Sequence, residues 1–495
     1  MKRMRTLTRS LRETFGLDEL RPGQAEVIAA VLGGEDALAV MPTGAGKSLC
    51  YQLPALHLEG TTIVVSPLIA LMKDQSDKLR ELGLEAVEVN STITGRAEAV
   101  NLRRIGEARS DFVFTTPERM AEPGFLQTLR DTAIDFVVID EAHCISQWGH
   151  DFRPSYLALR QAVRELDDPP ILALTATATE EVVEDIRRQL GRPEMRVFRT
   201  GIFRPNLLLE VEHVSGPAEK EGELVRLLGE LEGAGIVYCA TVRNVGEVSR
   251  LLQREGFDAE GYHGRLPAGR RHEVQDRFMA GELKAMVATN AFGLGIDKSD
   301  IRFVVHYDMP GSLEAYYQEA GRAGRDGDPA CCALLYDRRD RRTQLFFLGG
   351  RYPDAEDVRA VYEGLGRGDP DSAGLTAAEV QRAVPAVARN KVRVVLALLK
   401  DAGLVRGRRG VRFARTAREA TPASLERLAT AYRERGERDR EKLERMEEYA
   451  RTAYCRWVPL HRWFEQEMPV DRCGSCDNCR KGVAELAGKP VNEVA

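Results

Sequence analysis

Ala37-Leu38-Ala39-Val40-Met41-Pro42-Thr43-Gly44-Ala45-Gly46-Lys47-Ser48 is an apolar run that breaks into a glycine loop and ends on a lysine and a serine. Ala37 to Val40 reads as a buried strand, and the residues after Ser48 as a helix. Gly44 and Gly46 leave room for backbone N–H groups to close around phosphates. Lys47 would reach the β and γ phosphates, and the Ser48 hydroxyl would ligate magnesium. The first position of the loop is Met41 rather than Gly, so the strict form of the motif is not met.

Working outward, short apolar runs alternate with helical patterns to about residue 340. Thr62-Ile63-Val64-Val65-Ser66, Phe112-Val113-Phe114, Phe136-Val137-Val138-Ile139 and Ile171-Leu172-Ala173-Leu174 read as buried strands. Leu71 to Leu82 carries apolar residues at helical spacing. Such alternation predicts a parallel sheet with crossover helices. It pauses at Phe203-Arg204-Pro205-Asn206 and restarts with Gly235 to Tyr238, Ala285 to Ala288 and Phe303 to His306. Two tandem α/β domains are therefore expected, 1–206 and 207–340. In the first, Val137-Val138-Ile139-Asp140-Glu141 ends a strand on two acids, about ninety residues after Lys47. Asp140 is placed to hold the magnesium, and Glu141 to polarise an attacking water.

Residues 341–372 read as a linker, because Gly349-Gly350, Pro353, Gly364, Gly366, Gly368 and Pro370 interrupt every period. Residues 373–418 then read as helix (Leu375 to Val384), helix (Arg389 to Leu399), strand, glycine turn and strand, the order of a winged helix. Between Arg382 and Arg418 eleven Lys or Arg face the single acid Asp401. A basic module of this kind suits duplex phosphates, and a winged helix can equally dock protein. A charged helical stretch follows, and 419–482 is expected to form a helical metal-binding module, with 483–495 a tail.

Composition sets the outer bounds. The 495 residues are 43% hydrophobic and 30% charged, enough to fill several cores. No apolar run approaches the roughly 18 residues of a membrane span. Net charge is −5, which excludes a nucleic-acid coat over the whole surface but not a local basic island. Met1-Lys2-Arg3-Met4-Arg5-Thr6-Leu7 has no secretory character, so a reduced, cytoplasmic setting is expected. Of nine cysteines, Cys50, Cys144, Cys239, Cys331 and Cys332 read as small packing residues. Cys455, Cys473, Cys476 and Cys479 cluster with C-x-x-C spacing. Four thiolates in that pattern suit tetrahedral zinc, and an iron–sulfur cluster uses the same donors.

Taken together the motifs resemble those of superfamily 2 helicases, and of the RecQ DNA helicases within them. The resemblance rests on Gly44 to Ser48 with Asp140-Glu141-Ala142-His143. It extends to the aromatic-rich loop Ala142 to Pro154, to Arg21-Pro22-Gly23-Gln24 and to Leu174-Thr175-Ala176-Thr177-Ala178-Thr179. Ala288 to Lys298 and Gln318-Glu319-Ala320-Gly321-Arg322-Ala323-Gly324-Arg325 complete it.

The resemblance implies two RecA-like domains with ATP and magnesium in the cleft between them. It implies ATP contacts from Arg21, Gln24, Thr43, Gly44, Ala45, Gly46, Lys47, Ser48, Asp297 and Gln318. Arg322 and Arg325 would reach the γ-phosphate, with Arg325 the finger. Ser66, Thr115, Arg153 and Thr289 would touch a DNA strand, and Trp148 and Phe152 would stack on bases. The bland alternative for Trp148 and Phe152 is a place in the core. The family's zinc falls on Cys455, Cys473, Cys476 and Cys479.

Movement from 3′ to 5′ on single-stranded DNA, unwinding of duplex junctions, a role in repair or recombination and association with the nucleoid follow as expectations. Two departures stand out. Leu17 occupies the place of an aromatic that usually stacks on adenine. The winged-helix candidate precedes the zinc cysteines instead of following them, and the family's helicase-and-RNase-D C-terminal domain has no counterpart in the residues after Cys479.

Overall fold

The computed structural model describes residues 2–107, 109–146, 152–290, 292, 298–349, 352–366, 374–408 and 412–486. These form two compact units: Met1–Asp308 with Glu314–Tyr336 and Arg451–Ala495, and Met309–Leu313 with Asp337–Ala450.

The first unit holds two parallel sheets. The first contains β1 (Ala37–Val40), β2 (Thr61–Val65), β3 (Ala86–Val89), β4 (Phe112–Thr115), β5 (Ile134–Ile139), β6 (Ile171–Thr175) and β7 (Arg196–Arg199). They run in the order β3-β4-β2-β5-β6-β1-β7. β1, β2 and β4 are buried along their whole length. That is why they appear in the sequence as unbroken apolar runs rather than alternating ones. Cores form on both faces: Val65, Val137 and Ile139 on one, Val64, Phe114 and Val138 on the other. The order switches beside β1, and in open parallel sheets ligands bind at the strand ends near such a switch. The phosphate loop leaves β1 at that end.

The second sheet contains β8 (Leu207–His213), β9 (Ala234–Tyr238), β10 (Ala259–Tyr262), β11 (Ala285–Ala288), β12 (Ile301–His306) and β13 (Ala330–Tyr336), in the order β10-β11-β9-β12-β13-β8. β13 is buried throughout, including Cys331 and Cys332, which pack as small apolar residues. Tyr238 and His306 lie side by side in register at the carboxyl ends of β9 and β12.

The second unit corrects the linker expected at 341–372. Helices run over Asp340–Gly349 and Ala355–Gly364. Asp354 caps the latter in a reciprocal box with Asp357, and Val358, Val361 and Tyr362 enter a core with Val380, Val395 and Leu396. Gly349, Pro353 and Gly364 stand at helix ends, whereas they had read as part of a continuous break, and Gly350, Gly368 and Pro370 lie outside the described residues. The helix expected from Leu375 is also shorter. Leu375–Thr376 is strand β14, and Thr376 caps a helix over Ala377–Ala383.

With the helix Arg389–Asp401 and strands β15 (Val405–Arg408) and β16 (Arg412–Arg415), the order becomes helix, strand, helix, helix, strand, strand. The small antiparallel sheet is ordered β14-β16-β15. This is a winged helix whose first helix lies in the supposed linker. The boundary expected at 418/419 also moves. The helix Pro422–Arg451 sends Leu425 and Ala429 into the winged-helix core, so 419–450 folds with that module and the cysteines fold with the first unit. Among the described residues no helix is long and apolar enough to cross a membrane.

Candidate nucleotide cleft and zinc centre

The phosphate loop is held open by side chains from outside it. Gly44 and Gly46 take φ of 88° and 76°, a region that costs other residues. A Cβ on Gly46 would sit 2.6 Å from Gln24 Nε2. Gln24 is 2% exposed and donates both amide protons to the loop, to Ala45 O and Gly46 O at 3.0 Å each. Its Oε1 accepts from Arg21 N at 2.7 Å, and the Arg21 guanidinium donates to Gly44 O. Here the amide shapes the loop. Leu17 is 44% exposed.

Lys47 Nζ donates to Met41 O at 3.1 Å. Burial of its ammonium end lowers the pKa, while Glu141 and Asp140 oppose that shift and Arg325 adds to it. Ser48 Oγ accepts from Gln75 Nε2 at 3.1 Å, and Gln75 Oε1 accepts from the Tyr51 hydroxyl. No local pattern singles out Gln75 or Tyr51. Only their meeting in space reveals this shell.

β5 delivers the two acids. Asp140 N extends the ladder to Val65 O, and the carboxylate is 9% exposed. Burial raises the Asp140 pKa to about 7, with Glu141 adding to the shift and Lys47 opposing it. Glu141 takes a left-handed φ of 49°, which turns its side chain away from the strand line. His143 Nδ1 lies 3.3 Å from Glu141 Oε2 and 3.1 Å from Thr175 Oγ1, which in turn donates to Thr177 O. Burial disfavours charge on His143, but Cys144 and Glu141 outweigh it and raise its pKa to about 10. The acids and the Leu174–Thr179 segment thus share one buried network.

Residues of the second domain close the loop's open side. The missing Cβ of Gly44 leaves 3.3 Å to Arg325 Cγ, and that of Gly321 leaves 3.3 Å to Thr43 Cβ. Arg204 ties the two together. It donates to Thr43 O at 3.3 Å, Gly321 O at 2.8 Å, Ala323 O at 2.9 Å and Gly324 O. Asn206 donates to Gly324 O and Asp328 O. Arg204 and Asn206 were legible only as a pause between domains. A cation and an amide flanking Pro205 are the signal that could have marked them. A cleft of about 300 Å³ remains, lined by Arg21, Thr43, Gly44, Ala45, Arg204, Arg325 and Asp326 among others. Arg322 is 6% exposed behind it, and Gln318 is half-buried on the helix Leu313–Ala320.

Two expected strand contacts are buried here. Thr115 is fully buried and its hydroxyl donates to Val89 O at 3.0 Å. Ser66 is 2% exposed and points its hydroxyl at Asp140 Oδ2, 3.4 Å away. Neither side chain meets solvent, because each satisfies a buried partner at a strand end. Phe152 and Arg153 are half-buried, with Arg153 Nη1 3.4 Å from Pro67 O, and Thr289 is half-buried after β11. Trp148 and Asp297 lie outside the described residues.

The four cysteines converge with all sulfurs within 4.8 Å of one another. Cys473 and Cys479 sulfurs are 3.9 Å apart, and those of Cys476 and Cys455 4.0 Å. Tetrahedral zinc with bonds near 2.3 Å requires about 3.8 Å between sulfurs, so the donors fit. Backbone N–H groups of Cys473, Cys476 and Arg456 point at Cys455, Cys473 and Cys476 sulfurs, respectively, which supports thiolate charge. A metal held by these four protein ligands would be structural.

Beneath it, Arg456 and Asp477 pair through two 2.8 Å bonds, both side chains 3% exposed. Asp477 Oδ2 also accepts from Val211 N on edge strand β8, docking the module on the second sheet. Trp457 packs on Phe203 with ring centroids 5.1 Å apart, and Glu465 accepts from Glu180 N of the first domain at 2.8 Å.

Two parallel-sheet domains, with a phosphate loop in one and arginines from the other at its mouth, are the architecture of the superfamily 2 helicases. The DEAD/DEAH box helicase family matches residues 21–186, the helicase conserved C-terminal domain 219–327 and the RecQ zinc-binding domain 419–480. The chain is 46% identical over 336 residues to the ATP-dependent DNA helicase RecQ of Bacillus subtilis (strain 168), covering 68% of this chain and 56% of that protein. It is 42% identical over 360 residues to the probable ATP-dependent DNA helicase RecS of the same organism, covering 72% of each. It thus spans little more than half of the first relative's length. Among solved structures the helicase Lhr of Mycobacterium smegmatis, bound to single-stranded DNA and AMP-PNP, shares the fold. The TM-score is 0.57 and the identity 22%, over 86% of this chain and 61% of that one. The chain belongs to the RecQ family.

Proposed function

We propose that the protein is an ATP-dependent DNA helicase that moves 3′ to 5′ along single-stranded DNA and opens duplex junctions in repair or recombination. The observation that carries this reading is the convergence of Lys47, Asp140 and Glu141 with Arg325 and Arg204 across one cleft. Backbone N–H groups of residues 43–48 and the Lys47 ammonium hold the β and γ phosphates. Ser48 and Asp140 are the residues that would hold magnesium, which supplies charge neutralisation at the phosphates. Glu141, with His143 against its carboxylate, orients and deprotonates the attacking water. Arg325 lies across the loop from the other domain and stabilises charge on the transferring phosphoryl group, the part an arginine finger plays. Asp297 and Gln318 are assigned to the same cleft by family likeness, and Arg21 through its hold on the loop.

Arg153, Phe152, Trp148 and Thr289 are the strand contacts in this reading, and the zinc is structural. DNA as substrate puts the protein in the cytoplasm, on the nucleoid when bound. The test is unwinding of forked, 3′-tailed and 5′-tailed duplexes with ATP, beside ATPase stimulation by DNA and RNA of equal length. Opening of 3′-tailed and forked substrates with DNA-selective stimulation is expected. Preference for the 5′ tail overturns the polarity, and RNA-selective stimulation overturns the substrate.

The winged helix is read as a duplex-binding module. Arg389 and Arg393 are exposed on one of its helices, inside the basic stretch Arg382 to Arg418. Reversing both to Glu should weaken duplex binding about tenfold and lower the salt slope by about two counterions. Unchanged salt dependence in a binding titration would assign the module to a protein partner.

A further inference from the structure

The segment that joins the two sheets is laced to the turn after the helix Leu313–Ala320, the turn that carries Arg322 and Arg325. At one end of the lacing the Tyr317 hydroxyl donates to Ile202 O at 2.7 Å. At the other, Asn206 Nδ2 donates to Gly324 O at 2.8 Å and to Asp328 O at 2.9 Å. Arg204 stands between them. Its Nη1 donates to Thr43 O at 3.3 Å and Gly321 O at 2.8 Å, and its Nη2 to Ala323 O at 2.9 Å and Gly324 O. The reach is possible because glycines leave room. A Cβ on Gly324 would sit 2.5 Å from Asn206 Nδ2, and one on Gly321 3.3 Å from Thr43 Cβ.

An arginine lining a phosphate cleft invites reading as a second finger. The hydrogen bonds point elsewhere. Each terminal nitrogen of a guanidinium carries two protons, and each terminal nitrogen of Arg204 serves two carbonyls. So engaged, the fork has no terminal proton to spare for a phosphate. What it does is fix three carbonyls of the turn relative to one another and to one carbonyl of the phosphate loop, and a rigid planar fork suits that task. With three bonds to the turn and one to the phosphate loop, Arg204 stays with the turn when the cleft opens.

We propose that Arg204 is a positioning residue, the strap by which the segment between the domains sets the aim of Arg325, so that rotation about that segment and placement of the finger are one movement. The proposal rests on the helicase reading. It separates Arg204 from the phosphate ligands around it, although it lines the same cleft.

The test uses the full chain. ATP hydrolysis is measured across ATP concentrations with saturating oligo-dT for the wild type, Arg204→Ala, Arg204→Lys, Arg325→Ala and the double variant Arg204→Ala/Arg325→Ala. Affinity for a fluorescent ADP and thermal midpoints are read beside it. Arg204→Ala should lower kcat about a hundredfold, as misplacement of a catalytic group does, and leave KM for ATP and the ADP affinity within about threefold. Arg204→Lys keeps the charge and the thermal midpoint, but one ammonium cannot span the four carbonyls, so its kcat should stay about tenfold below wild type. In the Arg325→Ala background, loss of Arg204 should cost less than about twofold more, because Arg204 acts through the finger. Wild-type kcat in either Arg204 variant, a loss carried by KM or by ADP affinity, or losses that multiply in the double variant each overturn the proposal. If Arg204→Ala does not fold, Arg204→Lys carries the same comparison with Arg325→Ala. A wild type that strands do not stimulate overturns the helicase reading instead, and the proposal with it.

Discussion

Lys47→Ala abolishes nucleotide hydrolysis: kcat with saturating DNA is expected to fall by about 10³-fold or more, as for loss of a preorganised charge at a transferring phosphoryl group. The ammonium already stands where the phosphates would enter, held by Met41 O inside the loop and with its charge supported by Glu141 and Asp140. Deleting it does two things. It removes the positive charge that meets the γ-phosphate, and it removes the group that opposes the rise in the Asp140 pKa. Asp140 then stays protonated to higher pH and loses its value as a metal ligand. The variant should therefore fail at every ATP concentration, and raising magnesium should rescue it poorly.

Because Lys47 is itself desolvated, its loss should cost little stability, and the thermal midpoint should stay near that of the wild type. Zinc content and strand binding should also persist, which separates a dead motor from an unfolded one. Steady-state ATPase beside fluorescence anisotropy with labelled oligonucleotide reads both. Retained hydrolysis would remove Lys47 from the cleft's chemistry and with it the reading of the loop.

The parts of this architecture that sequence made legible are those where one local pattern decides. β1, β2, β5 and β11 are buried on both faces, so they stand out as apolar runs. β3 and β10 were not read as strands because Glu88 and Glu260 interrupt them, and these acids have partners only the fold supplies: Ser76 for the first, Arg270 and Arg277 for the second. The same limit explains the supposed linker. Pro353 and Gly364 bound a helix whose apolar face is meaningful only against Val380 and Val395, which come later in the chain.

In the cleft the motif residues were legible because chemistry dictates their type and spacing. Their supports were not. Gln24 was legible as an ATP contact, but its amide hold on the loop backbone was not. Arg204 makes its four carbonyl contacts to residues more than a hundred positions away, so its place beside Pro205 is the one local hint of them. Ser66 and Thr115 fit a surface role by position in a motif, and their burial at strand ends was not legible there.

Asp477→Ala should be the most damaging substitution outside the cleft. Its carboxylate lies beside two zinc ligands in sequence and serves three partners at once: the Arg456 guanidinium, Asn478 N and Val211 N on the edge strand β8. Removing one member of a buried pair strands the other, at a cost of about 3–5 kcal/mol. The β8 N–H loses its acceptor too. Arg456 is bonded through its backbone to Cys476 Sγ, so a guanidinium that leaves in search of water pulls on the cluster. The expected result is a lower thermal midpoint, on the order of 10 °C, and faster capture of zinc by a chromophoric chelator.

Burial alone would raise the Asp477 pKa, but Arg456 outweighs it and holds the group below the usual carboxylate range. A depressed folded pKa contributes stability that is complete above the unfolded value of about 3.9 and is lost as pH falls through the folded one. The gap between variant and wild type should therefore be constant from pH 5 to 8, at about its full size, and should close only in stronger acid. Asp477→Asn keeps an acceptor for Val211 N but leaves Arg456 unbalanced, so it should fall between the two. A variant with wild-type zinc release would show that the cysteines hold the module without this pair.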